Sequence, residues 1–397
     1  MNLLQNPTTK LLQSHRRFTV LSPSLSNRRF SIRSTLPSTA QNAKYNGELR
    51  AAVDAVDRAC RLCVDVKRSL FTSDGRILEK NDQTPVTIAD FGVQALISLE
   101  LGKLFPSIPL VAEEDSAFLR SNNLVDSVVN VVTDRASCQD KALTQADVVE
   151  AIDRRGEYGP KPATYWVLDP IDGTRGFVKG SDALYVVGLA LVVEGQIVLG
   201  VMGCPNWRVD NSNANEIKNE PGIIMVAHVG CGTWAKGLPD IQNPSVNWYR
   251  CLVDGYTLVH KGRYCISESQ TWDSLPLSSS FGSTTDVDNV GDEEVLLLPT
   301  CCGSLCKYLM VASGRASVFI QRTRTDRVIK VWDHAVGVIC VHEAGGKVTD
   351  WNGDQLDLAA DEVERKALFP PGGILVSNSG LHQEILEIIA SKSSVIS

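Results

Sequence analysis

The chain has 397 residues, of which 43% are hydrophobic and 21% charged, and this is typical of a globular protein with room for two domains and a large core. No run of about eighteen apolar residues occurs, so the sequence predicts no membrane span. The formal net charge of the chain is −7. The first 46 residues hold seven basic and no acidic side chains, so the remaining residues carry a net charge of −7 − 7 = −14. This acidic remainder argues against a nucleic-acid backbone as the main partner.

The basic, Ser-rich segment 1–46 has the composition of an organellar transit peptide, which we expect to lie outside the fold. A disordered tail of the same composition is the alternative. The motif Arg28-Arg29-Phe30-Ser31 favours mitochondrial import slightly, whereas the serines of residues 22–38 suit a plastid equally well. The sequence therefore predicts an organellar protein and leaves the compartment open.

Two helices are predicted at the start of the mature chain. Apolar residues recur at helical spacing from Leu49 to Leu70. A second helix begins at or near Thr87 and ends near Phe105. Asp90 falls in the first turn of this helix, where a carboxylate is favoured by the helix dipole. Asp90 is therefore either a helix-capping residue or a functional acid, and its position alone does not decide between them.

A short strand at Ile108–Ala112 is followed directly by three acids, Glu113, Glu114 and Asp115. Adjacent carboxylates repel one another unless a cation lies among them. Lys and Arg are missing from the immediate surroundings in the sequence. This composition favours a metal ion over a salt bridge.

The most informative stretch follows a buried strand at Tyr165–Leu168. We expect this strand to end at Asp169, because the next residue is a proline, which has no N–H for the ladder. Asp169, the carbonyl of Ile171 and Asp172 then offer hard oxygen donors of the kind that Mg²⁺ prefers. Thr174 adds a hydroxyl beside them. An ordinary acidic turn is the competing interpretation of these residues taken alone.

The sequence of the second half of the chain predicts a mixture of strands and helices. An antiparallel hairpin with a type I′ turn at Glu194-Gly195 precedes a domain boundary, so that residues 47–207 and 208–397 are predicted to form two subdomains. Helices are predicted at Cys306–Ser313 and Ala335–Ala344, with Asp333 in an N-cap-like position. The basic cluster Arg322, Arg324, Arg327 and Lys330 is either a solvated face or an attractor of an anionic substrate.

Eleven cysteines are scattered along the chain. Cys60 and Cys63 have zinc-ligand spacing, but no second pair follows at finger-like distance, so we expect small buried thiols in a helix. Structural disulfides are not expected behind an import leader of this kind. Cys301, Cys302 and Cys306 are candidates for redox sensitivity.

Taken together, five acids are predicted to lie at helix starts or strand ends, where elements can converge: Asp90, Glu113, Asp169, Asp172 and Asp333. Such a cluster cannot be fully ionised without cations, and two or three Mg²⁺ would neutralise it. That is the arrangement for in-line displacement at phosphorus. Thr174 beside Asp90 can then orient and deprotonate the attacking water.

At these residues the chain resembles the lithium-sensitive, magnesium-dependent phosphomonoesterase superfamily, which includes inositol monophosphatase and the bisphosphate nucleotidases. The matching pieces are residues 85–90, 113–114, 169–174 and 332–337, and the resemblance covers roughly residues 47–390. It implies an α/β fold, an alternating αβαβα layered sandwich of two subdomains. It also implies that the metal ligands are Glu113, Asp169, the Ile171 carbonyl, Asp172 and Asp333, with Asp90 and Thr174 as the water-activating pair.

Residues 80–82, 169–177 and 304–308 look most like the nucleotidase branch. The implied reaction removes the 3'-phosphate of adenosine 3',5'-bisphosphate to give AMP and phosphate. The sulfated analogue and inositol 1,4-bisphosphate are possible further substrates, and lithium inhibition is expected. Ser304 and Lys307 would hold the 5'-phosphate, a loop at Gly176–Gly180 would border the pocket, and Thr174 and Asp333 would also contact the substrate.

Three departures from the family pattern are present, and two of them concern the substrate. Ala112 stands where many members have glycine. The nucleotide-contacting His of the family is missing, with Thr271 near its place, and Gln321 aligns with the family's substrate Arg, although Arg322 is one step away. A phosphatase for an inositol or sugar phosphate therefore remains an alternative, as does a catalytically silent metal-binding protein. The sequence leaves monomer and homodimer open.

Overall fold

Helices and strands alternate along the structure, a computed structural model that describes residues 36–72, 78–79, 85–136, 142–154, 163–179, 183–208, 222–238, 247–267, 270–324, 328–359, 361 and 363–393. The helices are α1 (Asn46–Thr72), α2 (Ile88–Leu104), α3 (Ser116–Ser121), α4 (Val125–Thr133), α5 (Gln145–Ile152), α6 (Thr174–Val178), α7 (Leu305–Ala312), α8 (Ala335–Glu343) and α9 (His382–Ser393).

The strands are β1 (Leu78–Glu79), β2 (Pro85–Val86), β3 (Leu110–Ala112), β4 (Tyr165–Asp172), β5 (Val186–Val193), β6 (Gln196–Cys204), β7 (Ile223–His228), β8 (Gly232–Gly237), β9 (Tyr249–Cys251), β10 (Arg263–Ile266), β11 (Gly282–Thr284), β12 (Glu294–Leu297), β13 (Val318–Arg322), β14 (Ile329–Lys330), β15 (Gly346–Asp350), β16 (Ala367–Leu368) and β17 (Gly373–Asn378). Short 3₁₀ turns lie at Ser38–Ala40, Val259–Lys261, Trp272–Ser274 and Pro276–Ser279.

A sheet in the order β3-β4-β5-β6-β7-β8-β9 has helices on both faces. Along β4 the side chains alternate, as the strand period requires. Trp166 and Leu168 pack with α1 and α2 on one face. Tyr165 and Val167 face the opposite core, which α7 and α8 fill. Since both faces are covered, β4 is buried along its whole length.

A second sheet, in the order β11-β12-β10-β13-β17-β15, closes the other side of α7 and α8. Helix α9 packs on its outer face through Ile385 and Ile389, beside Leu381, which directly precedes the helix. The layers are therefore α1 and α2, the first sheet, α7 and α8, the second sheet, and α9. This confirms the predicted αβαβα sandwich. Among the described residues, no helix is both long enough and apolar enough to cross a membrane.

Strand β4 is longer than the sequence predicted. It was expected to end at Asp169 and instead continues through Pro170 to Asp172. The ladder to β5 adjusts to the proline: Asp169 is opposite Gly188 and Asp172 is opposite Val186, with an irregularity between them. Three steps on one strand therefore match two on the other, which is a bulge. The missing N–H is accommodated within the strand rather than ending it.

The predicted exclusion of residues 1–46 from the fold is wrong for residues 36–46. Leu36 and Ala40 are 3% and 2% exposed and belong to the core under α1. Thr39 donates its hydroxyl to the Cys231 carbonyl at 3.1 Å, and α1 begins at Asn46. Residues 1–35 lie outside the described part of the chain. The folded region therefore includes Leu36.

Strands β7–β9 extend the first sheet beyond the predicted subdomain boundary at 207/208. The chain passes from the first sheet to the second between Cys251 and Arg263. All described residues belong to one compact unit. The division into subdomains remains a prediction, and sheet membership would place its boundary within 252–262.

The cysteines differ from expectation at one place. Cys60 and Cys63 are buried free thiols in α1, as predicted. Cys301 and Cys302 form a disulfide between consecutive residues, so the expectation of no structural disulfide is wrong for this pair. Cys306 is a buried free thiol in α7.

Candidate active site

Three carboxylates from two separate parts of the chain meet at the end of β4. Each of Asp169, Asp172 and Asp333 offers one oxygen, and these oxygens lie within 4.8 Å of one another. Asp169 and Asp172 are placed by β4 and its bulge. Asp333 lies just before α8, where His334 rather than Asp333 is the N-cap residue. The predicted capping role of Asp333 is therefore wrong, and its carboxylate faces the other two acids.

The chemistry of this cluster fits a divalent cation. The Oδ1 atom of Asp169 is buried and has no hydrogen-bond partner among the described residues. Burial, followed by the charges of Glu113, Asp172 and Asp333, raises the pKa of Asp169 well above its usual range. Burial and the charges of Asp172 and Glu113 do the same to the pKa of Asp333. Hard oxygen ligands that repel one another in a buried site are the setting that Mg²⁺ relieves.

The side chain of Asp172 also caps the N-terminus of α7. Its Oδ1 accepts from the N–H of Ser304 at 3.0 Å, and its Oδ2 accepts from the N–H of Leu305 at 2.6 Å. Burial raises the pKa of Asp172 to about 6, while Lys307 and these two N–H donors oppose the rise. Gly303, at φ 63°, leaves space for the carboxylate, since an added Cβ would lie 2.3 Å from Asp172 Oδ2.

Asp90 and Thr174 form the predicted pair. Asp90 lies at the third position of α2 and closes a capping box: its Oδ2 accepts from both the N–H and the hydroxyl of Thr87, each at 2.8 Å. Its other oxygen, Oδ1, lies 3.0 Å from Thr174 Oγ1. Thr174 Oγ1 is also 3.1 Å from the Ile171 carbonyl. One oxygen of Asp90 therefore caps α2 and the other lies beside Thr174, while the catalytic role of Asp90 stays a prediction.

Glu113 lies at the rim of the cluster. Its side chain is only partly buried, and its charge acts on all three clustered aspartates. Sequence reasoning missed the residue that positions this segment: Gln94 of α2 donates its amide N–H to the Glu114 carbonyl at 2.7 Å and accepts from the Glu114 N–H at 2.9 Å. It also donates to the Ile152 carbonyl at 2.9 Å. A polar residue on the buried face of a helix was the available signal.

The predicted substrate residues are only partly brought to this place. Ser304 is next to Asp172, as described above. Lys307 is 2% exposed, and its ammonium donates to the Gly303 carbonyl at 2.6 Å. Residues 176–178 belong to α6, so the loop predicted at Gly176–Gly180 is wrong over that part, and Gly180 lies outside the described residues. The role of Lys307 at a phosphate stays a prediction.

Arg322 lies at the end of β13 and is exposed. Its N–H donates to the Gln270 side-chain carbonyl at 2.8 Å, and its Nη1 donates to the Ser274 carbonyl at 3.1 Å. Thr271 precedes the 3₁₀ turn at 272–274. The side-chain oxygen of Gln321 and the side-chain nitrogen of Gln270 are both buried without a hydrogen-bond partner in the described region.

The fold and this acidic site define a class of protein. Residues 47–394 match the model of the inositol monophosphatase family, and the chain belongs to that family. Among curated proteins, it is 63% identical over 378 residues to the Arabidopsis thaliana protein named "Putative 3'(2'),5'-bisphosphate nucleotidase, mitochondrial", covering 94% of each chain. It is 33% identical over 359 residues to Arabidopsis "3',5'-bisphosphate nucleotidase 2", covering 87% of this chain and 96% of the relative.

Among solved structures, the extragenic suppressor protein suhB of Bartonella henselae superimposes with a TM-score of 0.54 at 19% sequence identity, covering 86% of this chain and 98% of that one. At this identity the likeness concerns the fold alone. It agrees with the layered sandwich seen here.

Proposed function

We propose that this protein is a Mg²⁺-dependent phosphatase that removes the 3'-phosphate of adenosine 3',5'-bisphosphate to give AMP and phosphate. The observation that carries the proposal is the meeting of Asp169, Asp172 and Asp333 beside the Asp90–Thr174 hydrogen bond. The names of the two Arabidopsis relatives support the choice of a nucleotide bisphosphate as substrate. The name of the first also supports a mitochondrial location.

The metal would be held by Asp169, Asp172 and Asp333, with Glu113 and the Ile171 carbonyl completing the predicted ligand set. Two or three ions match this number of acidic groups. When bound, Mg²⁺ supplies positive charge that stabilises the developing negative charge at phosphorus and lowers the pKa of an attacking water.

The protein's own contribution to the proton transfer begins at Thr174. Because its hydroxyl lies 3.0 Å from Asp90 Oδ1, it can donate its proton there and keep its lone pairs free to accept from a water. As that water attacks phosphorus, its proton passes to Thr174 Oγ1 while the threonine proton passes to Asp90. Thr87 holds Asp90 in place throughout by two hydrogen bonds to the other oxygen.

Two unpartnered amide groups support a polar ligand at the end of β13. Gln321 offers a buried acceptor and Gln270 a buried donor. An acceptor and a donor from side-chain amides are the groups that recognise the edge of an adenine. They stand in the region where the family's His and Arg are missing, so they are candidates to replace them.

The test is phosphate release by the purified full chain with Mg²⁺ on four substrates: adenosine 3',5'-bisphosphate, its sulfated analogue, inositol 1,4-bisphosphate and inositol 1-phosphate. A higher kcat/KM for the adenosine bisphosphate than for inositol 1-phosphate is expected. The reverse order would contradict the nucleotide assignment and favour an inositol or sugar phosphate.

The variant Gln321→Leu adds a second comparison. It is expected to raise KM for the adenosine bisphosphate more than for inositol 1-phosphate. Equal effects on both substrates would exclude Gln321 from base recognition. If no phosphoester is cleaved while Mg²⁺ still binds, the protein is a silent metal-binding member of the family.

A further inference from the structure

We propose that Tyr308 and His334 are positioning residues for the metal site, because the hydrogen bond between them fixes the distance between the starts of α7 and α8. The Tyr308 hydroxyl lies 3.0 Å from Nδ1 of His334. Asp172 caps the start of α7, and Asp333 directly precedes His334 at the start of α8. The inference rests on the proposed function for the bound metal and for the effect on turnover.

A continuous path of hydrogen bonds leads from one aspartate to the residue beside the other. Oδ1 of Asp172 accepts from the N–H of Ser304 at 3.0 Å. The carbonyl of Ser304 accepts from the N–H of Tyr308 at 3.2 Å. The hydroxyl of Tyr308 then reaches His334, which is bonded through the backbone to Asp333. The path therefore joins two members of the acidic cluster that come from separate parts of the chain.

Asp333 lies within a closed turn, so a movement of His334 is passed on to it. The carbonyl of Val331 accepts from the N–H of His334 at 3.2 Å and from the N–H of Ala335 at 2.9 Å. In the part of the chain that the structure describes, Nε2 of His334 is buried without a hydrogen-bond partner. The bond to Tyr308 is therefore the polar contact that holds the imidazole ring in place.

The side chain of Tyr308 fills the space between the two helices. Tyr308 and His334 are both fully buried, and their rings meet edge to face with centroids 5.7 Å apart. A Cβ added to Gly337, in the first turn of α8, would overlap Cγ of Tyr308. Phe319 of β13 also meets the Tyr308 ring edge to face. A ring packed in this way has one orientation, so its hydroxyl can hold His334 at a fixed place.

Apolar packing brings the two helices to the cluster but leaves their spacing less well defined. Both helices rest on β5 at Gly188, the residue opposite Asp169. A Cβ added to Gly188 would overlap Cδ1 of Leu305 and lie 3.0 Å from Cγ1 of Val336. Such apolar contacts are non-directional. A hydrogen bond between two buried side chains is directional, so it can set the separation that packing does not.

The spacing of the ligands matters because Mg²⁺ tolerates little variation. It requires near-octahedral geometry with oxygens at about 2.0–2.1 Å, whereas Ca²⁺ accepts flexible geometry at longer distances. Tyr308→Phe keeps the ring and removes the hydroxyl. We expect it to lower the affinity for Mg²⁺ by roughly tenfold or more, the scale for groups that support metal ligands. The affinity for Ca²⁺ should fall less, so the ratio of the two affinities reports the spacing.

The test measures binding of Mg²⁺ and of Ca²⁺ to the full chain by isothermal titration, with Tyr264→Phe as the matched control. Tyr264 is equally buried, its hydroxyl donates to the carbonyl of Val259 at 2.8 Å, and it meets Trp272 edge to face. Each variant loses one buried hydroxyl, so both should show a similar decrease in Tm in EDTA. Only Tyr308→Phe should change the ratio of Mg²⁺ to Ca²⁺ affinity.

Phosphate release adds a second comparison. For Tyr308→Phe we expect the Mg²⁺ concentration that gives half of the maximal rate to rise by roughly tenfold. The KM for adenosine 3',5'-bisphosphate at saturating Mg²⁺ should stay near the wild-type value. A Tyr308→Phe protein with the metal affinities and the Mg²⁺ dependence of Tyr264→Phe would overturn the inference.

Variants of His334 test the other end of the bond. His334→Asn keeps a polar group near the place of Nδ1, whereas His334→Leu removes it, so His334→Asn should bind Mg²⁺ more tightly than His334→Leu. Combining Tyr308→Phe with His334→Leu should weaken Mg²⁺ binding no further than His334→Leu alone, because both changes remove the same bond. Additive losses from the two substitutions would contradict the inference.

The remaining outcomes separate this inference from the proposed function. If Tyr308→Phe weakens Mg²⁺ binding but the wild type cleaves no phosphoester, the positioning role stands and the proposed function fails. If the wild type cleaves the adenosine bisphosphate and Tyr308→Phe leaves its Mg²⁺ dependence unchanged, the inference alone fails. A wild type that binds no Mg²⁺ would overturn both.

Discussion

Asp172 caps α7 across a separation of more than a hundred residues: its Oδ2 accepts from the N–H of Leu305 at 2.6 Å, while its Oδ1 accepts from the neighbouring N–H of Ser304. The same carboxylate belongs to the group suited to a metal ion. A helix N-terminus favours a negative charge, so the cap and the metal site both select an ionised aspartate.

Asp172→Asn is expected to lower kcat by at least about a hundredfold, the scale for removing an electrostatic group at the reacting centre. It should also lower the free energy of unfolding by about 1–3 kcal/mol, because the amide turns an N–H donor toward a backbone donor and leaves a group unsatisfied. Phosphate release and urea unfolding measure the two effects. The exposed Asp288→Asn is the control. Near-wild-type turnover of Asp172→Asn would refute the metal assignment.

Gly303→Ala is expected to reduce both activity and stability, since its Cβ would meet the Asp172 carboxylate. Gly230→Ala is a matched control: Gly230 has a similar φ of 73°, but an added Cβ meets nothing within 4 Å. Both variants should lose about 1–2 kcal/mol from left-handed strain. Only Gly303→Ala should lose turnover and Mg²⁺ affinity. Equal behaviour of the two variants would show that the space for Asp172 is unimportant.

Thr174→Val removes the hydroxyl that bridges Asp90 Oδ1 and the reaction site. We expect kcat to fall by about 10²–10⁴-fold, the usual contribution of a positioned acid–base group. The free energy of unfolding should change little. Thr174→Ser keeps the hydroxyl and should retain most of the activity. Steady-state kinetics on the same substrate decide the matter, and a serine variant as slow as the valine variant would contradict the proton-transfer role.

Gln94→Leu should weaken Mg²⁺ binding without touching a ligand. Loss of the Gln94 amide removes three hydrogen bonds, to the N–H and the carbonyl of Glu114 and to the carbonyl of Ile152. The segment that carries Glu113 is then held less firmly. A drop in Mg²⁺ affinity of about 10–100-fold is expected from loss of such a supporting group. Isothermal titration measures it. An unchanged affinity would mean that Glu113 is positioned by other contacts.

We expect the free energy of unfolding of the metal-free protein to decrease as pH rises. The pKa values of Asp169, Asp172 and Asp333 are raised in the folded, metal-free protein, which therefore binds more protons than the unfolded chain. The stabilisation from this proton binding is fully present below the unfolded pKa of about 4. It is lost as pH rises through the folded pKa values, about 6 for Asp172. The increase in Tm from EDTA to Mg²⁺ should therefore grow from pH 5 to pH 8.

The difference between the Tm in Mg²⁺ and the Tm in EDTA separates the effect of the aspartates from the effect of the buried histidines. Burial lowers the pKa of His334 to about 3 and that of His382 to about 4, so their contribution to stability rises with pH up to the unfolded value near 6.5. These groups titrate whether or not metal is bound to the aspartates. Asp333→Asn should flatten the pH trend of the Mg²⁺ effect, and an equally steep trend in that variant would contradict the mutual repulsion of the acids.

Local chemistry was enough for much of the fold. Helical periodicity located α1 and α2, and α2 begins directly after its N-cap Thr87, where the start of this helix was predicted. The turn at Glu194-Gly195 has φ values of 51° and 80°, as the type I′ prediction requires. These features depend on neighbours a few residues apart, and such neighbours are visible in the sequence.

Errors arose where distant residues override a local rule. Pro170 should have ended β4, but β3 and β5 flank it and a bulge absorbs the missing N–H. Asp333 resembled a helix cap, yet its carboxylate is drawn into the acidic cluster. Leu36 and Ala40 looked like part of a leader, although the core beneath α1 buries them.

The sequence by itself determined which acids are available, because these residues and their spacing are written along the chain. Through the resemblance that its motifs carry, it also indicated the family and the layered sandwich that the family implies. Only the tertiary structure decided that Asp172 both caps α7 and lies in the acidic cluster, that Gln94 supports the Glu113 segment, and that Cys302 packs against the turn of Thr174. Each of these contacts joins residues far apart in sequence. Their geometry follows from how the two sheets and the helices between them pack, which no local pattern encodes.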